Sequence, residues 1–247
     1  MLPVGDEDQR TGLPVVNLVI IGINVLVFVL LQLPSDAFTM GFSVIPAEIT
    51  KGIDLIGPQQ IALPDGTTDT LLEAAGPSPI WLTLFTSMFM HGGWTHLGGN
   101  MLFLFIFGDN VERLLGSLKY LVFYVICGVV ADLAQIFSSP DSVIPSLGAS
   151  GAISGVLAAY LIFFPNNRVR VLMMFGYLAR ITQVPALFMI GLWILIQFVN
   201  GIGSIALTDQ TGGVAYWAHI GGFAAGIILA FALKAFVTPP PTRRYVV

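Results

Sequence analysis

The 247-residue chain is 55% hydrophobic and only 10% charged, whereas a soluble globular domain carries about 25% charged residues. This composition excludes an ordinary soluble domain and predicts a polytopic membrane protein whose length suits one helical bundle. The formal net charge of −4, with scattered basic residues, provides no basic patch for nucleic acid. The single cysteine, Cys127, lies in an apolar run and is expected to be a buried thiol. No Cys/His cluster has metal-site spacing, so neither a metal nor a cofactor is predicted.

Six apolar segments are long enough, or nearly so, to cross a bilayer, which takes about 20 residues of helix. These predicted spans one to six lie at residues 14–33, 94–111, 117–137, 149–164, 184–202 and 216–237. Spans two and four are short and glycine-rich, and we expect their polar N-terminal ends to begin below the membrane surface. The acidic residues before span one do not resemble the basic start of a secretory signal, so span one is expected to be retained.

The basic residues indicate how these spans are oriented. Six spans place both termini on one side, and a cytoplasmic N-terminus leaves only Lys51 outside. The inner segments then hold Arg10, Arg113, Lys119, Arg168, Arg170, Arg180, Lys234, Arg243 and Arg244. Because basic loops resist translocation, we predict that the tails 1–13 and 238–247 are cytoplasmic and that residues 14–237 form the six-span domain.

The connection at residues 34–80 is then an extracytoplasmic outer loop. Its apolar content favours a position in the membrane interface. The stretch from Pro46 to Ile56 predicts a short amphipathic helix with proline in its first turn. Residues 67–75 could form a second one.

Polar side chains occupy the N-terminal ends of spans two, four and six, where hydrocarbon is expected. His96 and Asn100 lie in span two, Ser150 begins span four, and His219 begins span six. Because these spans run in the same direction, the four side chains are expected at one depth, toward the outer leaflet. Polar residues within a membrane are costly and mark functional sites. Hydrogen bonding between helices would explain one or two of them, but not four at one level.

Residues of these types support nucleophilic catalysis. A neutral His219 can take the proton of the Ser150 hydroxyl as a general base. His96 and Asn100 are candidate donors to the oxyanion of an acyl-transfer reaction, together with the backbone N–H of Ser150. Asp132 in span three is the only candidate for a third, carboxylate member, so a Ser150–His219 dyad is the working hypothesis.

The run from Gly148 to Gly155 consists mainly of small residues, which allow close helix packing in membranes. Gly148 and Gly151 bracket Ser150 and leave its approach open, so Ser150 is the predicted nucleophile. Ser154, one turn deeper on the same face, is assigned to packing or hydrogen bonding.

At these residues the chain resembles the rhomboid family of intramembrane serine proteases. Four ordered motifs carry the resemblance: His91-x4-His96-x3-Asn100, Gly108-x3-Glu112-x3-Gly116, Gly148-x-Ser150-Gly151 and Ala218-His219-x2-Gly222-x3-Gly226. The resemblance covers Leu18 to Phe236 and implies an all-α, six-span bundle with a membrane-embedded outer loop. By the same resemblance Ser150 is the nucleophile, His219 the base, and His96 with Asn100 the oxyanion partners.

The remaining motif residues receive structural roles from this resemblance. His91 would support the outer loop, and Glu112 would fix the inner end of span two by hydrogen bonding. Gly222 and Gly226 would let span six pack closely on span four, which brings His219 to Ser150.

The chain departs from the family pattern at two places. Many members carry a Trp-Arg pair shortly before the first motif histidine, whereas here Leu82 follows Trp81. Members also often carry an aromatic residue one turn after the nucleophile, stacked on the catalytic histidine, and Ser154 occupies that position here.

The function expected from the resemblance is hydrolysis of peptide bonds in or near the transmembrane helices of membrane-protein substrates, in the plasma membrane. A substrate helix must unwind to reach Ser150, so small or helix-weakening residues are expected near the cut. Span five and the glycine-rich loop 203–214 are candidates for a gate and cap.

Two other functions are considered. A catalytically inactive relative would bind membrane clients, but such proteins typically lack the serine or the histidine. A transporter or channel would use intramembrane His and Asn to line a path, rather than gather them at one depth.

Overall fold

The computed structural model describes residues 2–7, 12–62, 66–175, 178–206 and 214–237. The first elements are strand β1 (Leu2–Asp6), helix α1 (Val15–Val27, continued by a π-helical turn at Phe28–Gln32), helices α2 (Asp36–Phe42) and α3 (Pro46–Lys51), strands β2 (Gly57–Ala62) and β3 (Thr68–Glu73), and helix α4 (Thr83–Thr86). The second group is α5 (Trp94–Phe103), a π-helical turn (Leu104–Gly108), α6 (Asp109–Leu115), α7 (Ser117–Ser138), α8 (Ser150–Phe163), β4 (Arg168–Phe175), β5 (Leu178–Pro185), α9 (Ala186–Ala206) and α10 (Tyr216–Lys234). The predicted tail 238–247 and most of the predicted cap, residues 207–213, lie outside the described residues.

The described helices follow the predicted spans, although they differ in length. Four are long and apolar enough to cross a membrane: Val15–Gln32, Ser117–Ser138, Ala186–Gly203 and Tyr216–Lys234. Span two corresponds to α5 and α6 with the turn between them, and span four corresponds to α8, which has 14 residues. The six-span count therefore stays a prediction.

Helix α8 is the centre of the bundle. Ten successive residues of this helix, from Gly151 to Tyr160, are buried, and α8 packs against both α7 and α10. A Cβ atom built on Gly222 would overlap the carbonyl oxygen of Gly151, and one on Gly226 would overlap that of Gly155. The two helices therefore meet backbone to backbone, as small residues in membrane helices permit.

The all-α prediction is wrong at the opposite end of the bundle from Ser150. Strand β1 pairs antiparallel with β4, and β4 pairs antiparallel with β5, which gives a three-stranded sheet in the order β1-β4-β5. Along β4, Val169 and Val171 are buried while Arg168 and Arg170 are exposed. Such two-residue alternation is the pattern of a half-buried strand, and a search for long apolar segments averages it away.

The outer loop contains one predicted helix and one hairpin. Helix α3 begins with Pro46 in its first turn, as predicted, but it ends at Lys51, well before Ile56. The second helix suggested over residues 67–75 is wrong, because β3 pairs with β2 in an antiparallel hairpin. The β-branched residues Thr68 and Thr70 favour that extended backbone.

The outer loop is joined to the connection between α7 and α8. The backbone of Val44 exchanges two hydrogen bonds with that of Ser146, at 3.0 and 2.8 Å. The backbone N–H of Ala47 donates to the carbonyl oxygen of Ser142 at 3.0 Å. These bonds attach the loop directly to the segment that leads into Ser150, without the tryptophan–arginine pair.

Glu112 lies at the end of the bundle opposite Ser150. Its carboxylate accepts the backbone N–H groups of Val16 at 3.0 Å and Asn17 at 2.7 Å, and the hydroxyl of Ser117 at 2.6 Å. Because the first N–H groups of a helix have no partner within it, Glu112 caps α1 and ties it to α6 and α7. The hydrogen bonds of Glu112 thus connect three helices, α1, α6 and α7.

Candidate active site

A cavity of about 610 Å³ lies where the N-terminal ends of α5, α8 and α10 meet. His96, Asn100, Ser150 and His219 all line it. Each of these side chains comes from the first two turns of its helix, so the parallel direction of the three helices brings the four together. This agrees with the common depth expected from the sequence.

Ser150 and His219 are in direct contact. Nε2 of His219 lies 2.7 Å from Oγ of Ser150, a normal hydrogen-bond length. The contact joins the first residue of α8 to the fourth residue of α10. A serine hydroxyl bonded to an imidazole nitrogen is the geometry that a general base needs in order to activate a nucleophile.

His96 presents a donor to the cavity. Its Nδ1 accepts the backbone N–H of Gly92 at 3.3 Å, so in the neutral ring the proton resides on Nε2. A Cβ atom built on Gly148 would lie 3.0 Å from that Nε2 and 3.5 Å from Oγ of Ser150. The N–H of His96 is therefore available beside the nucleophile.

Asn100 supplies a second donor. The residue is 8% exposed and its Nδ2 has no hydrogen-bond partner among the described residues. A buried amide without a partner is costly, and such groups occur where a ligand or reacting atom will be bound. The first N–H groups of α8 are also without intrahelical partners, because the helix begins at Ser150.

The glycines beside Ser150 are required by both conformation and space. Gly148 has φ +139°, a backbone region that other residues rarely adopt. A Cβ atom there would lie 2.9 Å from Cε1 of His96, and a Cβ atom on Gly151 would lie 2.5 Å from that of Ala131. Side chains at these positions would displace His96 and α7.

Ser154 does not face the cavity. It is fully buried, and its hydroxyl donates to the carbonyl oxygen of Ser150 at 2.6 Å. This is the packing and hydrogen-bonding position assigned from the sequence.

Asp132 is not in contact with the histidine. Its Oδ2 accepts the hydroxyl of Ser87 at 3.1 Å, and the carbonyl oxygen of Ser87 accepts the N–H of Gly148 at 2.9 Å. Asp132 therefore supports the backbone before Ser150 through Ser87. The structure offers no Asp132–His219 contact for a triad in the part of the chain that it describes.

Two residues of α9 that were not singled out from the sequence contact His219 instead. Oε1 of Gln197 lies 2.8 Å from Nδ1 of His219, and the ring of Trp193 lies 5.5 Å from the imidazole, tilted by 43°. Trp193 thus supplies the aromatic neighbour that Ser154 does not. The available signal was a glutamine in an apolar span, one turn after a tryptophan.

His91 lies just outside the cavity, before α5. Its backbone N–H donates to Oε1 of Gln32 at 2.8 Å, and its carbonyl oxygen accepts from Nε2 of the same amide at 3.1 Å. Its ring contacts that of His96 edge-on at 5.1 Å. Burial, with a smaller effect of His96, lowers the pKa of His91 to about 3, so the ring is neutral at physiological pH. Gln32 therefore fastens the start of this segment to the end of span one.

The fold and the site together define a helical membrane protein with a serine–histidine pair in a cavity between its helices. Comparison with known proteins gives the family, because the model of the rhomboid domain matches residues 79–236. That match covers more than half of the chain, which therefore belongs to the rhomboid family.

Several curated relatives are similar to the chain over part of their length. Rhomboid protease GluP of Bacillus subtilis is 34% identical over 68% of this chain and 28% of its own length. RHOMBOID-like protein 4 of Arabidopsis thaliana is 31% identical over 74% of this chain and 42% of its own. Rhomboid protease AarA of Providencia stuartii is 30% identical over 62% of this chain and 56% of its own. The matched part of the chain thus covers between about a quarter and just over half of the length of these relatives.

Proposed function

We propose that the chain is an intramembrane serine endopeptidase that hydrolyses peptide bonds in or near the transmembrane helices of membrane proteins. The observation that carries the proposal is the 2.7 Å contact between Nε2 of His219 and Oγ of Ser150 inside the cavity. Family membership and the names of two relatives as rhomboid proteases support the same reaction class.

In the acylation step His219 acts as general base. Nε2 takes the proton of Ser150 as Oγ attacks the carbonyl carbon of the scissile bond, and the carbonyl oxygen becomes an oxyanion. The imidazolium then returns the proton to the leaving amine, and an acyl-enzyme remains on Ser150. A water molecule, deprotonated by His219 in turn, attacks the ester and regenerates the serine.

The donors on α5 are suited to the oxyanion of this reaction. His96, whose Nε2 carries the proton, and Asn100, whose buried Nδ2 has no partner among the described residues, both line the cavity with Ser150. Because they are held by a helix rather than recruited from solvent, they need little reorganisation when charge develops on the oxygen. The first N–H groups of α8 add to this stabilisation.

We also propose a topology for this enzyme. Six spans, with both tails cytoplasmic and the cavity toward the extracytoplasmic side of a plasma membrane, agree with the basic residues, nine of which fall on one side and Lys51 on the other. In this arrangement α8, with 14 residues, can be shorter than the bilayer is thick, because protein rather than lipid surrounds it.

The substrate would enter as an unwound segment. A peptide bond in a helix is shielded by the turns around it, so small or helix-weakening residues near the cut would lower the cost of reaching Ser150. Helix α9 and the loop after it are the proposed gate and cap. Trp193 of α9 and Val214, the last residue of the predicted loop, line the cavity.

Reconstitution in vesicles with a generic single-span substrate tests the proposal. We expect cleavage by the wild-type chain, none with Ser150→Ala or His219→Ala, and retained cleavage with Ser154→Ala as the matched serine control. Undiminished cleavage in either dyad variant would overturn the assignment. Substrate binding without cleavage by the wild type would instead favour a client-binding protein.

A further inference from the structure

Gln197 occupies a position that the dyad alone does not explain. This side chain lies in the middle of α9, is 8% exposed, and bonds to an atom on the opposite side of the imidazole from Ser150. A glutamine inside an apolar helix is costly to bury, so its partners indicate its role.

The partners of Gln197 favour one direction of its amide. Its Nε2 donates to the carbonyl oxygen of Trp193 at 3.5 Å, which leaves Oε1 pointing to the histidine at 2.8 Å. In this orientation the carboxamide oxygen accepts, so Nδ1 of His219 carries the proton. In the neutral ring Nε2 is then unprotonated and accepts the hydroxyl of Ser150. This is the tautomer that a general base requires.

A second residue of α9 restricts the ring itself. Trp193 lies one turn before Gln197 and places its indole 5.5 Å from the imidazole. The same helical face therefore contacts His219 through both a hydrogen bond and a ring. His219 is held between Ser150 of α8 and these two residues.

We propose that Gln197 is the positioning residue of His219, which sets its tautomer and stabilises the imidazolium formed during acylation. This inference rests on the proposed function and names the third member of that site. Here a carboxamide takes the position of the carboxylate in a Ser-His-Asp triad. The carboxylate of Asp132 instead accepts a hydrogen bond from Ser87.

His96 has the opposite hydrogen-bonding pattern to His219, so the tautomer assigned to His219 is not a general property of histidines in this cavity. There the backbone N–H of Gly92 is bound by Nδ1, so the proton resides on Nε2. His219 has the opposite tautomer because its Nδ1 faces an acceptor. Two histidines lining one cavity thus differ in protonated nitrogen, one as a donor and one as a base.

A kinetic test uses the 247-residue chain in vesicles, with two variants of α9 and one control variant of α7. For Gln197→Leu we expect kcat to fall about 10- to 100-fold with little change in KM, because the lost bond is strongest when the ring is charged. Gln197→Glu retains an acceptor and should recover most of kcat. Val122→Ala, at an exposed position of α7, should remain within about twofold of wild type.

A spectroscopic test does not depend on turnover. The chain has three histidines, so ¹⁵N-histidine labelling gives only three ring-nitrogen pairs, assignable with His91→Gln and His96→Gln. We expect the His219 proton on Nδ1 in the wild type and a mixture of tautomers in Gln197→Leu. If Gln197→Leu does not fold, Gln197→Met, which is unbranched and of similar length, allows the same measurements.

The two proposals fail in different ways. Cleavage that survives in Ser150→Ala overturns the proposed function. Cleavage that depends on Ser150, with wild-type kcat and an unchanged His219 tautomer in folded Gln197→Leu, overturns only the positioning role of Gln197.

Discussion

The cavity has two kinds of wall. Helices α8 and α10, which we call the fixed wall, carry Ser150 and His219, the proposed nucleophile and base, and meet backbone to backbone at Gly151 and Gly222. Helices α5 and α9, the open wall, carry the proposed oxyanion donors and Gln197. In the open wall a Cβ atom on Gly99 or Gly191 would meet nothing within 4 Å.

This difference separates two requirements of catalysis. Proton transfer requires a constant distance between the side chains of Ser150 and His219. Close packing at the glycines keeps α8 and α10 at a constant separation, because no long side chain lies between the two helices. The open wall borders the route by which we propose that a substrate enters. Many of its side chains are exposed, including Leu187, Phe188 and Leu195 of α9. The hydrogen bond between Gln197 and His219 links the two walls.

The largest effect is expected from breaking the fixed wall. Gly222→Val places a side chain where the carbonyl oxygen of Gly151 lies, so α8 and α10 must separate and His219 must move away from Ser150. We expect cleavage in vesicles to fall more than about 100-fold, because an ångström of misplacement has that effect. Gly191→Ala, in the open wall, is the control and should leave cleavage unchanged. Equal activity of the two variants would contradict the comparison.

A smaller effect is expected from removing a donor of the open wall. Asn100→Ala deletes the buried amide of a residue that lines the cavity, and we expect kcat to fall about 10- to 100-fold with KM nearly constant, since the proposed bond forms only when the oxyanion does. Asn200→Ala, an exposed asparagine of α9, is the matched control. A rise in KM at constant kcat would instead assign Asn100 to substrate binding.

The smallest effect concerns the outer loop and is seen in stability rather than cleavage. Burial, helped by the nearby charge of Glu48, raises the pKa of Glu73 to about 7 from the ordinary value of 4.5. The folded chain thus binds this proton more tightly than the unfolded chain does. The stabilisation is complete below about pH 4.5 and is lost as the pH rises through about 7.

Thermal unfolding of Glu73→Gln measures this contribution. We expect the variant to melt about 2–4 °C higher than the wild type at pH 8 and to differ little at pH 5. Asp141→Asn, which alters an exposed ion pair with Lys51, should not change the pH dependence. If the melting temperatures of Glu73→Gln and the wild type differed by the same amount at pH 5 and at pH 8, the role of this buried carboxyl group would be refuted.

The features that the sequence predicted are those that depend on the pattern of a single helix or a single motif. The long spans follow from continuous apolar runs, and the meeting of Ser150 with His219 follows from the shared direction of spans four and six. The sequence did not predict Gln197, whose contact with His219 joins two helices across 22 residues of sequence. Only the geometry distinguishes a glutamine that faces a catalytic ring from one that faces another helix.

The strands were missed for a related reason. Whether Leu2–Asp6 forms a strand depends on its pairing with residues 169–172, more than 160 positions away, and not on its own composition. The partner of Asp132 was also unpredictable, because Ser87 reaches it from the short helical turns before α5. Strand β4 has an alternating pattern of its own, but the partner of such a long-range pairing does not follow from the pattern of one segment.

Activity-based labelling tests the central claim, that His219 activates Ser150, most directly. A fluorophosphonate probe should label the wild-type chain at Ser150, as located by peptide mass spectrometry, and labelling should be lost in His219→Ala while that variant remains folded. Labelling at Ser154, or undiminished labelling of Ser150 without His219, would contradict the claim.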